Sequence, residues 1–284
     1  MFAARCRWLV LLILSIFLNL TTAANAADAF DQSHKSFNDV LTGHVRWNTA
    51  GTASSVDYAG LKADHAELDR YTASLSKVTQ AQFQQFTKLE RRAFLINAYN
   101  AFTLQLILTK YPDLSSIKDL GSFFSSPWKK AFVPLLGQTR SLDDIEQVML
   151  RGSEEYDDPR IHFAVNCASI GCPALRPEAF VAARLDAQLL DQTQRFLRDR
   201  SRNRYNSAAQ TLELSMIFKW YRGDFGRGFL GANSVAAFVA GYAGSIGLTP
   251  GPLAQLKAGA IEIEYTDYSW ELNNSNAISL EQRR

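Results

Sequence analysis

The sequence contains few residues that bind metals or cross-link a chain. Its 284 residues include three cysteines and four histidines. A single structural zinc site takes about four nitrogen or sulfur ligands. The shortage excludes a protein with several metal centres, and we expect neither a metal site nor a cofactor.

The sequence also lacks a bias toward one charge. Lysine and arginine number 30 against 28 aspartates and glutamates, and no run of basic residues occurs. Nucleic-acid-binding domains usually carry a basic patch, so we expect no nucleic-acid partner. Hydrophobic residues make up 47% and charged residues 20%, which excludes a wholly disordered chain.

Long apolar runs are missing except at the N-terminus. Arg5 and Arg7 precede 13 uncharged residues at 8–20, and a small-residue site ends at Ala26. That order is typical of a secretory signal peptide, whereas a membrane-spanning helix needs about 20 apolar residues. We expect cleavage after Ala26, a periplasmic or secreted location, and no membrane span in the mature chain.

This cleavage would leave a signal peptide, 1–26, and a single exported domain, 27–284. The signal contains two arginines and Cys6, so the mature chain is formally neutral and keeps only Cys167 and Cys172. No internal repeat or low-complexity linker divides it. The sequence leaves the oligomeric state open.

Hydrophobic periodicity predicts a helix-rich first half of the chain and a second half in which strands occur among further helices. The segment 90–111 is apolar on nearly all sides, so we expect it to be the central buried helix. The other predicted elements are helices near 30–43, 61–75, 142–150, 178–198, 216–221, 233–242 and 252–258, a hairpin at 132–141, and strands at 160–166, 211–214 and 261–265. This pattern predicts an α+β fold, a helix-rich single domain packed on a small, mainly antiparallel sheet.

Residues 159–176, PRIHFAVNCASIGCPALR, hold most of the side chains that carry chemistry. His162 titrates near neutral pH, so it is a candidate general base or acid, the alternative being a hydrogen-bonded core histidine. On a strand, Asn166 shares the face of His162, while Cys167 points to the other face about 16 Å away at roughly 3.3 Å per residue. Cys172 follows Gly171, where the chain could fold back toward His162. Cys172 is therefore a better nucleophile candidate than Cys167.

Three states are open for Cys167 and Cys172. A disulfide needs Cα atoms about 4.4–6.8 Å apart, which a turn between them can provide, and export favours oxidation. The alternatives are a thiol nucleophile and a zinc site, although two sulfurs and one distant histidine fall short of a full zinc ligand set. A redox role ranks lower, because the spacing is not that of a C-x-x-C motif.

Four segments of the chain together resemble the domain-of-unknown-function 547 family. They are FLINAYNAFTL at 94–104, SLDDIE at 141–146, DPRIHFAVNCASIGCPAL at 158–175 and IFKWYRGDF at 217–225. The resemblance covers about residues 57–270. The family name implies no activity, so the resemblance supports the site residues more than a function.

The order of these segments is similar to that of papain-like and transglutaminase-like enzymes, which place a nucleophile helix before a histidine strand. Here the helix carries Asn97, Tyr99 and Asn100 where a cysteine is expected. Either the nucleophile has moved to the loop of Cys167 and Cys172, or the site binds a ligand without cleaving it. The two asparagines share a helix face and either contact the ligand or hydrogen-bond the loop backbone.

Other positions complete the predicted site. Tyr99 and Glu146 are expected to contact the substrate, and Glu146 is also expected to orient His162 or Arg160. Trp128 is expected to line a cleft and contact the substrate. Weaker candidates are Arg222, Asp224, Asp267 and Tyr268.

Two functions follow from these residues. The first is an exported hydrolase or transferase that acts on an amide- or thiol-containing small molecule or peptide. In it His162 is the base or acid, Cys172 or Cys167 is the nucleophile, and Asn166 orients groups together with the helix asparagines. The second is a non-catalytic exported binding domain in which a Cys167–Cys172 disulfide staples the ligand loop.

Overall fold

The computed structural model describes residues 29–122, 125–153 and 157–275. Every element below belongs to the unit Gln32–Arg284. The predicted signal peptide, 1–26, lies outside the described residues. Within them no helix has the length and apolar character needed to cross a membrane.

Helices dominate the described residues. The α-helices are α1 (Lys35–His44), α2 (Tyr58–Ala63), α3 (Ala66–Lys77), α4 (Gln80–Gln85), α5 (Lys88–Leu108), α6 (Leu185–Arg198), α7 (Met216–Trp220), α8 (Arg222–Phe225), α9 (Val235–Ala240), α10 (Ala243–Ile246) and α11 (Pro250–Lys257). A π-helix spans Asp144–Leu150, and 3₁₀ helices span Ile117–Leu120, Pro127–Lys129, Pro159–Phe163, Ala182–Arg184 and Phe229–Gly231. The strands are β1 (Val45–Trp47), β2 (Ser54–Val56), β3 (Val133–Leu135), β4 (Gln138–Arg140), β5 (Arg204–Asn206), β6 (Thr211–Leu214) and β7 (Glu262–Tyr265).

The strands form three small sheets. β1 pairs antiparallel with β2, and β3 with β4. The third sheet has the order β5–β6–β7, with β6 antiparallel to β5 and parallel to β7. The β3–β4 hairpin turns at Leu136 and Gly137, whose positive φ angles of 54° and 76° suit a two-residue hairpin turn. The predicted hairpin and the predicted α+β domain with mainly antiparallel sheets are confirmed.

Helix α5 is the central buried helix that the sequence predicts. Its start is capped reciprocally: Glu90 N donates to Thr87 Oγ1 at 3.3 Å, and Thr87 N donates to the Glu90 carboxylate at 2.7 Å. Every residue at 92–104 is buried. Because no face of this stretch meets water, its polar residues Asn97 and Asn100 need partners inside the protein.

An aromatic core packs the 3₁₀ helix Pro159–Phe163 against α7 and α8. The Phe163 ring centroid lies 5.7 Å from those of Phe218 and Phe225, and all three side chains are fully buried. His162 precedes Phe163, and Asp224 precedes Phe225. Burial of the phenylalanines therefore fixes where the histidine and the carboxylate lie.

The prediction of a strand at residues 160–166 was wrong. Pro159–Phe163 is instead a 3₁₀ helix. A proline suits the first position of a helix because its missing N–H needs no partner there. Asp158 caps the turn, since its Oδ1 accepts a hydrogen bond from Arg160 N at 3.0 Å. The alternating faces and the spacing expected of a strand therefore do not apply.

Two other predicted helices are shorter or divided. The segment 61–75 is split between α2 and α3, and the segment 178–198 is α-helical only from Leu185. Near the start of that segment the Phe180 backbone exchanges two hydrogen bonds with the Asn97 side chain. Those bonds use the backbone groups that a helix would need for its own ladder.

Candidate active site

A cavity of about 220 Å³ lies beside the 3₁₀ helix Pro159–Phe163 and the loop that follows it. The candidates His162, Cys167 and Cys172 all line it, together with Glu146. The 3₁₀ helix thus brings to one cavity a histidine and a thiol that a strand would have kept apart.

His162 is held on one side by Asp224. Its Nε2 donates a hydrogen bond to Asp224 Oδ2 at 2.7 Å, and both side chains are buried. Arg151 donates to the same carboxylate through Nε at 2.6 Å and Nη2 at 3.2 Å. Burial raises the pKa of Asp224, but the hydrogen bonds from His162 and Arg151 outweigh it and hold that pKa below its usual range. Asp224 is therefore ionised and fixes the orientation of the imidazole.

The second ring nitrogen of His162 has no hydrogen-bond partner among the described residues. This Nδ1 is buried, and the ring stacks on Tyr221 with 3.8 Å between centroids. Burial lowers the pKa of His162 below its ordinary value, so the imidazole is neutral at pH 7. Because Nε2 keeps the proton that it donates to Asp224, Nδ1 carries a lone pair and is a base.

Cys167 has the environment of a reactive thiol. Its Sγ lies 3.2 Å from the Ser169 hydroxyl and 3.2 Å from the Tyr268 hydroxyl. Burial raises the pKa of this thiol, but hydrogen bonds from Cys172, Ser169 and Tyr268 outweigh burial, so the pKa lies below its ordinary value. The thiolate is the nucleophilic form of cysteine, and these donors stabilise it.

Cys172 is instead held as a neutral thiol. It is buried, and its Sγ accepts a hydrogen bond from Cys167 N at 2.9 Å. Burial, and then the hydrogen bond and charge of Cys167, raise the pKa of Cys172 well above its ordinary value. The structure therefore favours Cys167 as nucleophile, the reverse of the order expected from the sequence. Both cysteines are free thiols in this structure rather than the expected disulfide.

Asn97, Asn100 and Asn166 hold backbone rather than face the cavity. Asn97 donates to Phe180 O at 2.7 Å and accepts from Phe180 N at 3.0 Å. Asn100 donates to one backbone group of the loop 164–173 at 3.0 Å and accepts from another at 2.8 Å. Asn166 makes two more hydrogen bonds to the backbone of this loop, at 2.7 and 2.9 Å. None of the three lines the cavity. Asn100 holds the cysteine loop, as one of the two alternatives has it, whereas Asn97 holds the Phe180 backbone instead. Asn166, which was expected to orient reacting groups, binds backbone as well.

Glu146 reaches His162 through a third residue. Glu146 Oε1 accepts a hydrogen bond from the Tyr221 hydroxyl at 2.7 Å, and Tyr221 stacks on His162. Glu146 therefore orients the ring that covers the imidazole. The expected direct contact with His162 or Arg160 is not formed.

Aromatic side chains form most of the remaining wall. Tyr99 and Trp128, both predicted to contact a ligand, line the cavity with Trp220, Tyr268 and Trp270. The ring of Tyr268 lies 4.5 Å from that of Trp270 and 4.8 Å from that of Trp220, between centroids. Sequence reasoning missed Trp220 and Trp270, although each neighbours a residue that it had singled out.

The chain after β7 closes over the cysteine loop. Gly171 N donates to Ser269 O at 2.8 Å, and Ile170 N donates to Glu271 O at 2.8 Å. A Cβ at Gly171 would lie 2.8 Å from Ser269 O and 2.9 Å from the Tyr268 ring. This close approach brings the Tyr268 hydroxyl to the sulfur of Cys167.

The cavity offers thiol, imidazole, carboxylate and phenol groups. In the part of the chain that the structure describes, no cluster of three or more histidine, cysteine, aspartate or glutamate side chains could hold a metal ion.

Comparison with known families identifies the central part of the chain. Residues 83–197 match the family described as "Protein of unknown function, DUF547". This segment belongs to the DUF547 family. The resemblance predicted from the motifs is thereby confirmed for residues 83–197, a shorter stretch than the predicted 57–270, and the motif at 217–225 lies outside the match. No curated protein and no solved structure gives a match to the chain.

The DUF547 segment contains only part of the site. It includes Glu146, His162 and both cysteines, whereas Asp224 and Tyr268 lie beyond it. The carboxylate that orients the imidazole and one of the three donors that stabilise the thiolate are thus supplied by the chain that follows the DUF547 segment.

Proposed function

We propose that the protein is an exported cysteine–histidine hydrolase or transferase that acts on an amide- or thiol-containing small molecule or peptide. The observation that carries the proposal is the pair of groups in one cavity. His162 is a neutral imidazole fixed by Asp224 at 2.7 Å with its Nδ1 unpaired in the described structure. Cys167 is a thiol whose pKa is lowered by neighbouring hydrogen-bond donors.

The proposed reaction begins with the thiol of Cys167. His162 Nδ1 accepts the thiol proton while the sulfur attacks a carbonyl carbon and forms a C–S bond. The imidazolium, stabilised by Asp224, gives that proton to the leaving nitrogen or sulfur as its bond to the carbonyl carbon breaks. The product of this half-reaction is a thioester on Cys167.

The second half-reaction releases the acyl group. Water or an amine attacks the thioester, His162 takes the proton of the attacking group, and the proton passes to the departing sulfur of Cys167. No oxidant or reductant is consumed. Among the described residues no hydrogen bond joins His162 to Cys167, so the mechanism requires that this contact form when the substrate binds.

Acylation by an activated ester tests the proposal. We expect p-nitrophenyl acetate to acetylate Cys167, as located by peptide mapping, and to release p-nitrophenol in a burst. Cys167→Ala should abolish the burst, and His162→Ala should slow it by about 10²–10⁴-fold. The exposed-site control His65→Ala should retain the burst. Cys172→Ala should still be acetylated at Cys167 but more slowly, because it loses one hydrogen bond that stabilises the thiolate. Absence of acetylation at Cys167 in the folded, reduced protein would reject the proposal.

A binding domain with a disulfide is the second candidate. The observation that favours it is the distance of 2.9 Å between Cys167 N and Cys172 Sγ, which makes the two cysteines spatial neighbours. Intact mass with and without reductant on protein taken from its natural compartment separates the two. A complete Cys167–Cys172 disulfide that resists physiological reductant would support the binding domain and reject the thiol mechanism.

Export is part of the proposal and has its own test. It rests on the signal-like sequence at 1–26. N-terminal sequencing of the protein recovered outside the cytoplasm should give a chain that starts at Ala27. An uncleaved protein in the cytoplasm would contradict export but would leave the proposed reaction at Cys167 unaffected.

A further inference from the structure

The charge of the cavity wall is a feature that the proposed reaction does not use. Two carboxylates, Asp143 and Glu146, line the cavity, and no lysine or arginine is found among the described residues that line it. Neither carboxylate has a lysine or arginine within ion-pair distance in the described structure, where Arg151 and Arg227 pair with Asp224. Lys129 and Arg151 act on Asp143 and Glu146 only at longer range, so both carboxylates still lack a cation in direct contact.

Three tryptophans line the same cavity. Trp128, Trp220 and Trp270 offer indole rings, and Trp220 is 44% exposed. Tryptophan is the best aromatic partner for a cation. The Trp270 ring already has a cationic partner, because Lys118 Nζ lies 3.8 Å from its centroid. Lys118 is not among the residues that line the cavity.

The unpaired nitrogen of His162 independently indicates that a ligand belongs here. Nδ1 is a buried polar atom without a partner in the described structure, and buried polar atoms in proteins are nearly always hydrogen-bonded. His162 lines the cavity with the carboxylates and the tryptophans. A buried base left without a partner beside these groups marks the cavity as a place that a ligand completes.

We propose that the substrate carries a positively charged nitrogen, an ammonium or a methylated ammonium group. This cation lies against the tryptophan rings and faces the carboxylates of Glu146 and Asp143. The inference rests on the proposed function, because the acyl carbon of the same substrate is the one that Cys167 attacks.

A matched pair of esters tests the inference. Two p-nitrophenyl esters share one acyl chain, which ends in trimethylammonium in one and in the neutral tert-butyl isostere in the other. At low ionic strength we expect the cationic ester to acylate Cys167 at least about tenfold faster. Glu146→Gln and Asp143→Asn should each reduce this ratio, and Glu262→Gln, which removes a remote exposed charge, should not. The neutral ester is the internal reference for any general damage to the site.

Binding to a variant that cannot be acylated separates this inference from the proposed function. In Cys167→Ala, calorimetry compares butyltrimethylammonium with its neutral carbon isostere. Preferential binding of the ammonium supports the inference even if no ester acylates the wild-type protein. Equal binding of both probes, with equal acylation rates for both esters, overturns the inference while acylation at Cys167 still supports the proposed chemistry.

Discussion

His162 and Asp224 are 62 positions apart in the chain, yet Nε2 of the one donates to Oδ2 of the other at 2.7 Å. Neither side chain is placed by its own helix alone. His162 precedes Phe163 and Asp224 precedes Phe225. The two phenylalanines pack in one aromatic core, which therefore fixes the positions of the histidine and the aspartate. The same hydrogen bond decides which nitrogen of the imidazole is left to act as a base.

Asp224→Asn should slow acylation of Cys167 by about 10²–10⁴-fold. The amide lacks the negative charge that stabilises the imidazolium, and it does not require a proton on Nε2. Burst kinetics with p-nitrophenyl acetate measure the effect. Asp157→Asn, which removes a half-exposed carboxylate near Arg227, is the control and should retain the rate. A change of less than about threefold in Asp224→Asn would show that the pair is merely structural.

The pH dependence of Cys167 alkylation should reveal its stabilised thiolate. Because the pKa of Cys167 is lowered, the iodoacetamide rate of the wild type should reach half its plateau at a lower pH than that of an unstructured cysteine peptide measured beside it. Tyr268→Phe removes one hydrogen bond to the sulfur and should raise that midpoint, so that less thiolate is present at pH 7. Tyr265→Phe is the control in the adjacent strand. A midpoint that does not move would mean that the Tyr268 hydroxyl does not stabilise the thiolate.

Asn100→Ala should lower the free energy of unfolding by about 2–5 kcal/mol. The substitution leaves Ala164 O and Asn166 N buried without their partner, and each unsatisfied group costs about 1–3 kcal/mol. Urea unfolding measures the loss. Gln105→Ala on the outer side of the same helix is the control, with a change below about 1 kcal/mol. Near-wild-type stability with weakened ligand binding would instead place Asn100 among the ligand contacts.

Gly171→Ala should destabilise the protein by about 1–3 kcal/mol and raise the pKa of Cys167. The new Cβ would lie 2.8 Å from Ser269 O and 2.9 Å from the Tyr268 ring, so the closing segment must move away. Thermal unfolding and the alkylation midpoint report the two effects. Gly244→Ala, where nothing lies within 4 Å of the added Cβ, should be neutral or stabilising. Equal stability of both variants would show that the close approach is relieved without consequence.

Elements that depend on local pattern could be predicted from the sequence. Helix α5 follows from a long apolar segment with a capping sequence at Thr87, and the β3–β4 hairpin follows from Gly137 between two short extended runs. The segment 160–166 could not be predicted in this way. Its apolar residues suit a strand, but Asp158 and its proline neighbour start a helical turn that the aromatic core then buries.

The site could be predicted only in part. His162 and the two cysteines are recognisable because few such residues occur and three of them lie within one short segment. The importance of Asp224 and Trp270 depends on packing between segments far apart in the chain, which leaves no local signal. The strand error also reversed the order of Cys167 and Cys172, because a side chain's face depends on the backbone that carries it.

The pairing of Gly171 with Ser269 has a consequence for how the protein is made. A ribosome delivers His162 and both cysteines about a hundred residues before Trp270, so the nascent chain carries its thiols long before it carries the segment that activates one of them. Tyr268 reaches the sulfur only after β7 has joined β6. The environment of the nucleophile is therefore completed only at the end of synthesis, and a chain truncated before residue 262 lacks one of the three groups that donate hydrogen bonds to its sulfur.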